Sequence, residues 1–223
     1  KYDERKPGFF ASLAKDRDEY LDYLQTGVLE AAAEDNCVLI GRGAFVILEN
    51  VPNLVSVRFV ARDDIRLVRL MNEFSWDEKS AQQRIDESDS NRLGFHKSFF
   101  NLNVDSASHF HLVLNTGLLD VELASDMIVE LCNAIVTPEK EAKGKVKLAE
   151  LLAAQRLVNS LVFEYKLNIN FLRAVIHEDT VTLQGVADST ALAEKAVSIA
   201  SQIMPDKKVE SCISVVQDFK AYP

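Results

Sequence analysis

No two of the eight glycines in this 223-residue chain stand five positions apart. The loop G-x-x-x-x-G-K-[ST], whose backbone amides cradle nucleotide phosphates, is therefore not encoded in it. Cysteine is scarce: Cys37, Cys132 and Cys212 are odd in number and far apart, which argues against a disulfide framework. Each is flanked by aliphatic residues, so three buried thiols in a reducing compartment are expected. No apolar run reaches the roughly 18 residues of a membrane span. The opening Lys1-Tyr2-Asp3-Glu4-Arg5-Lys6 has none of the apolar stretch of a secretory leader. A cytoplasmic location is the expectation. Positive charge is also short: 25 Lys and Arg stand against 34 Asp and Glu, a formal charge of −9. Such a chain repels phosphate backbones and anionic lipid headgroups, so nucleic acid is not expected as a partner. The first residue is not methionine and lies in a charged segment, from which further residues upstream of Lys1 are expected.

What is present is globular in composition, 48% hydrophobic and 26% charged. At about 150 residues per domain, the length allows one large domain or a medium and a small one. Phe9, Leu13, Tyr20, Leu24 and Leu29 are spaced for a helix from Phe9 to Glu34, with Gly27 a point of division. Cys37-Val38-Leu39-Ile40 and Leu54 to Val60 read as strands, the first ended by Gly41-Arg42-Gly43. Continuous, largely apolar strands between helices predict a parallel sheet covered by helices on both faces.

Asp63 is placed to cap a helix, and Ser75 with Glu78 has the spacing of a capping box opening another. That second helix is polar through Arg84, Asp86, Asp89 and Arg92 and turns aromatic at Phe95, Phe99 and Phe100. His111 to Thr116 is the third strand. Asp120 then caps a helix whose Leu123, Met127, Ile128, Leu131 and Ile135 are expected to face inward. Thr137 to Lys145 is charged, nearly free of apolar residues, and holds Pro138 and Gly144, so residues 137–146 read as a linker. It would separate an N-terminal domain at 1–136 from a C-terminal one at 147–223. The latter reads as helix, hairpin, helix, strand: a small α+β unit of order αββαβ, with the hairpin turning at His177 to Thr180.

Arg42, directly after a strand, would stand at the carboxyl edge of a parallel sheet, where open α/β sheets bind ligands. A guanidinium there is a phosphate fork, although the same three residues also fit a plain turn with a solvated arginine. Asp89 and Arg92 are three apart and share a helix face, suited either to a ribose hydroxyl and a phosphate or to a local ion pair. His109 and His111 are two apart, but no Cys or carboxylate pair accompanies them. The four histidines are expected at the surface or at strand ends, and no metal site is assigned. Trp76 is expected to staple the start of the polar helix.

Asn36 to Ala44, Val51 to Ala61, Ser88-Asp89-Ser90-Asn91-Arg92 ahead of Phe99-Phe100, and Phe110 to Gly117 occur in an order that resembles the cytidylate kinase-like family of P-loop nucleoside monophosphate kinases. The likeness covers roughly Pro7 to Val136. It implies a P-loop kinase-like α/β fold whose N-terminal part, with the first strand and phosphate loop, is not in this chain. It also implies substrate contacts from Arg42, Arg84, Asp89 and Arg92, a nucleoside monophosphate as acceptor, and ATP with Mg²⁺ as donor in the intact kinase. No complete catalytic set is implied in this chain alone. Members that act on cytidylate carry Gly-Arg-Asp where this chain has Gly41-Arg42-Gly43, so a cytosine preference does not carry over. Residues Lys147 to Val216, through Asp179 to Ser189 and Val209 to Val216, resemble a BON domain, which implies a small ligand or lipid as its partner. The alternative is a regulatory scaffold built on a degenerate kinase fold. Assembly into a homo-oligomer is left open.

Overall fold

Residues 14–33 wind into one helix, α1 (Ala14–Ala33), which passes through Gly27 without a break. A Cβ at Gly27 would meet nothing within 4 Å, so no close contact demands glycine there. The computed structural model describes residues 14–216; the start of the expected helix, Phe9 to Leu13, lies outside them. The described chain divides into one unit at Ile40–Gly144 and another made of residues 14–39 and 145–216. α1 therefore belongs with the C-terminal unit, against the expectation that residues 1–136 form one domain.

In the first unit a short helix α2 (Ala44–Ile47) precedes strand β1 (Val57–Val60) and helices α3 (Asp63–Phe74) and α4 (Glu78–Phe100). Strand β2 (Leu112–Asn115) then pairs with β1 in parallel, Val57 opposite Leu112 through Val60 opposite Asn115. Helix α5 (Val121–Ile135) closes the unit's regular elements. The α/β class with a parallel sheet is as expected. The strand expected at Cys37 to Ile40 is not formed. Left-handed residues bracket this segment, Asp35 and Asn36 before it and Gly41, Arg42 and Gly43 after it. No described strand bonds to it, and Val38 and Ile40 are 88% and 90% exposed. Cys37 is consequently exposed rather than buried.

Three local expectations change for identifiable reasons. Ser75 takes a left-handed conformation and ends α3. The cap of α4 is Asp77, whose carboxylate accepts from Ser80 N–H at 2.7 Å. Trp76 stacks on Phe74 at 4.8 Å, one residue before that cap. Asp120 caps α5 as expected, accepting from Leu123 N–H at 2.8 Å. Yet Leu123 and Met127 are exposed, and only Ala124 of this helix is buried.

Residues 137–146 do not form a linker. They are the first turns of helix α6 (Pro138–Asn159). Thr137 Oγ1 accepts from Lys140 N–H at 3.3 Å, and Pro138 fills the first helical position, where its missing N–H costs nothing. Glu139 and Glu141 sit where the helix dipole favours anions, and Lys143 pairs with Glu139 one turn away at 2.6 Å. Charge and proline, read as linker composition, are here a helix start.

In the second unit a π-turn (Ser160–Glu164) extends α6, followed by the antiparallel hairpin β3 (Asn170–His177) and β4 (Thr180–Ala187). Helix α7 (Thr190–Ile203) then crosses over to β5 (Lys208–Val215), which lies parallel to β4. The sheet order is β3-β4-β5, and the element order is the expected αββαβ. One sheet face is buried: Leu172, Ile176, Val181, Leu183 and Ala187 pack with Leu157, Val158 and Leu161 of the α6 region and Ala196, Ile199 and Ala200 of α7. Alternate residues face outward, the signature of a one-sided sheet. Cys212 is on that outward face and is exposed, again contrary to expectation. α1 joins this unit through Tyr23, stacked on Phe163 at 4.7 Å, and through Asn159, whose side-chain amide donates to Thr26 Oγ1 at 2.8 Å. Among the described residues no helix is long and apolar enough to cross a membrane.

Candidate functional site

Strand β1 leads into Arg62 and α3, and β2 leads into Thr116 and Gly117, so the carboxyl ends of both parallel strands open on one edge. Thr116 N–H donates to Val60 C=O at 2.9 Å and fixes that edge. From α3, Arg69 reaches it, donating to Thr116 Oγ1 at 3.2 Å and to the Thr116 carbonyl. Arg66, three residues earlier and on the same helix face, turns to α4 instead. Its Nη1 and Nη2 donate to Asp89 Oδ2 and Oδ1 at 2.7 and 2.8 Å, a bidentate fork. Arg92 Nη1 donates to Asp89 Oδ1 from one turn along, at 3.2 Å. Asp63 Oδ1 also accepts from Arg66 Nη1, at 3.1 Å.

Two guanidiniums are thus held together by one carboxylate. The Arg66 hydrogen bonds hold the Asp89 carboxyl below the usual carboxylate range, against a smaller opposing effect of partial burial. Asp89 in turn raises the Arg66 guanidinium above its ordinary value. All three groups are only half-buried, so water and a ligand reach them. Such a cluster can receive a phosphate on its arginines while Asp89 keeps them from repelling each other.

Among the four residues singled out in sequence, Asp89 and Arg92 are brought together. Arg84 is not in the cluster; it is exposed and lies 3.8 Å from Glu87 on its own helix. Arg42 is in the Gly41–Gly43 turn, in a left-handed conformation at φ 55° between glycines at φ 75° and 69°. It follows an extended, exposed segment rather than a buried strand. This turn is tied to α4 by Phe100: a Cβ at Gly43 would lie 2.3 Å from Phe100 Cε2. Glycine is required there twice over, for its φ and for the ring that occupies the space of a side chain.

Arg66 and Arg69 were not singled out from the sequence. The signal was available in Arg62, Arg66 and Arg69, spaced four and three apart along one predicted helix beside a strand end. His111 serves the opposite, amino-terminal edge of the sheet. Its Nδ1 accepts from Ser56 N–H at 3.1 Å and lies 2.8 Å from Ser56 Oγ. Contrary to the expectation for all four histidines, His96 is buried, 4% exposed, with Nδ1 2.8 Å from Arg92 C=O. Among the described residues no group of three or more His, Cys, Asp or Glu side chains is arranged to hold a metal ion.

Residues 2–118, just over half of the chain, match the model of the cytidylate kinase-like family. A curated cytidylate kinase from Methanocaldococcus jannaschii is 30% identical over 116 residues, which are 51% of this chain and 63% of that protein. The chain thus spans under two thirds of the length of that relative. A solved structure of an uncharacterized protein from Eubacterium ventriosum aligns with a TM-score of 0.47 at 24% identity, over 60% of this chain and 75% of the other. The matched residues hold the parallel strands, the Gly41–Gly43 turn and the Arg66–Asp89–Arg92 cluster, and the chain belongs to the cytidylate kinase-like family.

Proposed function

We propose that the Ile40–Gly144 unit binds a nucleoside monophosphate as the phosphoryl acceptor of a kinase reaction. The observation that carries this reading is the cluster in which one carboxylate, Asp89, holds the guanidiniums of Arg66 and Arg92 together. A monophosphate dianion would draw on those two arginines and on Arg42, each a planar donor fork suited to phosphate. Asp89 has the acceptor oxygens to take a ribose hydroxyl once the phosphate shares its arginines. Arginines so placed also stabilise charge on a transferring phosphoryl group, which is most of what such a reaction asks of a protein.

The donor is proposed to be ATP with Mg²⁺, as in nucleoside monophosphate kinases generally. The residues of this chain do not fit that group: the glycine spacing of a phosphate cradle is missing from the sequence, and no metal-holding set is present among the described residues. For the second unit a BON-like role in binding a small ligand or lipid is proposed, supported by its αββαβ order.

Titration of the chain with a panel of nucleoside monophosphates by calorimetry tests the acceptor site, with Arg66→Ala as the control. A coupled ATP assay of the full-length protein on the same panel tests catalysis. Binding lost in Arg66→Ala together with turnover supports the kinase reading. Binding without turnover assigns the unit to nucleotide-dependent regulation instead, and binding of no monophosphate refutes both.

A further inference from the structure

The three-stranded sheet of the second unit has two edges, and among the described residues only β3 carries an edge-breaking irregularity. At one edge, β3 carries a register break between Asn170 and Arg173 and a left-handed residue, Phe171, at φ 54°. Bulges of this kind turn an edge away from further pairing. The other edge, β5, pairs with β4 over eight consecutive residues without a shift, Thr180 with Lys208 through Ala187 with Val215. It holds no proline, and its two charges, Lys208 and Glu210, neutralise each other at 2.6 Å.

Lys208 N–H donates to Asp179 C=O at 2.7 Å and Val216 N–H to Ala187 C=O at 3.0 Å, so even-numbered residues of β5 bond inward to β4. Val209, Ser211, Ile213 and Val215 therefore direct their backbone N–H and C=O groups outward along this edge, where the Ile213 N–H donates to Ser211 Oγ at 3.2 Å in the single chain and would exchange that bond for a carbonyl of the pairing strand. The side chains of Ser211, Ile213 and Val215 border a groove of about 430 Å³ whose far wall is α7, with Ala193 and Val197.

We propose that β5 is the seam of a homodimer, in which two copies of the chain pair their β5 edges antiparallel and join their sheets into one. A two-fold axis normal to the sheet keeps both α7 helices on the same face, so residues of equal parity must lie opposite. With the axis at Cys212, Ser211 lies opposite the partner's Ile213, Val209 opposite the partner's Val215, and Glu210 opposite the partner's Ser214. No like charges meet, the small Ser211 leaves room for the isoleucine across from it, and all four outward-facing residues are bonded. Cys212 then meets the partner's Cys212 at a non-hydrogen-bonded position, where Cα atoms stand about 4.5 Å apart. This self-matching in charge, size and hydrogen bonding is the ground for a second copy as occupant rather than an unrelated peptide strand.

Sedimentation equilibrium on the full chain should find a dimer. Ser211→Pro deletes an outward N–H while leaving the bonds to β4, and Ser211→Lys puts a charge against the partner's Ile213. Each should raise the dimer dissociation constant at least about tenfold, while the lysine variant keeps a cooperative melt whose midpoint no longer rises with protein concentration. In a chain carrying Cys37→Ser and Cys132→Ser, a short bis-maleimide should join two copies through Cys212, and adding Cys212→Ser should abolish that link while leaving the dimer. A monomer throughout, a dimer indifferent to both Ser211 variants, or an absence of linking through Cys212 in a dimeric chain overturns the proposal.

Discussion

Arg66 of α3 donates to both carboxylate oxygens of Asp89 of α4, at 2.7 and 2.8 Å, and so joins two helices by a single fork between residues twenty-three positions apart in sequence. Arg92 completes the cluster from the same side as Asp89. The pair has a structural duty in the resting protein and, by the function proposed above, a binding duty when a monophosphate is present. Substitutions should separate the two.

The pH dependence follows from the depressed Asp89 carboxyl. A group whose folded pKa is lowered stabilises the protein fully above its unfolded value, near about 3.9, and that stability is lost as pH falls through the folded value. Asp89→Asn should therefore lower the thermal midpoint at neutral pH by an amount that shrinks on acidification. The pair is partly exposed, so the effect should be about 1 kcal/mol or less and smaller still in high salt. Parallel melts of both proteins across the acid range check the sign.

Arg42 and Arg84 should part company. Arg42→Ala should weaken monophosphate binding by roughly 1.5–3 kcal/mol, the range for hydrogen bonds to a charged group. Arg84→Ala should leave affinity unchanged, since Arg84 is exposed and its ion-pair partner among the described residues is Glu87 of its own helix. Calorimetry with one monophosphate decides between them.

Two glycines with opposite surroundings should respond oppositely to alanine. Gly43→Ala meets a left-handed φ of 69° and the Phe100 ring at 2.3 Å, and should cost about 1–3 kcal/mol. Gly27→Ala, inside α1 with nothing within 4 Å, should stabilise by roughly 0.5–1 kcal/mol. Urea unfolding midpoints measure both.

Gly144→Ala is a case where helix propensity gives the wrong sign. Alanine in a helix interior is favoured over glycine by about 1 kcal/mol. Here, however, the new Cβ would fall 1.9 Å from Asn53 Oδ1, a buried atom that already accepts no hydrogen bond. A net loss of roughly 1–3 kcal/mol is expected from the forced repacking. Gly144→Ala with Asn53→Ala should recover part of it, as a double-mutant cycle in denaturant would register.

The elements that could be read in advance are those whose signals are local. Asp120 capped its helix because an aspartate needs only the amide three residues on. The β3–β4 hairpin and the α7 crossover likewise follow from patterns within a few turns of chain. The misreadings are of residues whose state depends on distant partners. Val38 and Ile40 look like a core strand, but a strand exists only if another strand bonds it, and no described strand bonds this segment, which left-handed residues bracket on both sides. Leu123 and Met127 have the spacing of an inward face without a surface to meet. Thr137 to Lys145 was ambiguous at short range, since proline and alternating charge mark both linkers and helix starts. Of the candidate site, Asp89 and Arg92 were legible as a pair one turn apart. Arg66 could be read only as one of three arginines along a helix beside a strand end; its pairing with Asp89 could not, because that partner lies on another helix.

The path of the chain has a consequence for how the protein is made. The helix Ala14–Ala33 stacks Tyr23 on Phe163 and bonds Thr26 to Asn159, so one of the earliest described segments to leave the ribosome belongs to a unit whose remaining parts come last. Ile40–Gly144 can condense while α1 waits. The second unit closes only after synthesis has passed β5. Its two pieces form one compact unit interrupted by Ile40–Gly144, and a fragment starting at Lys145 would leave the α1-binding face of α6 open to water.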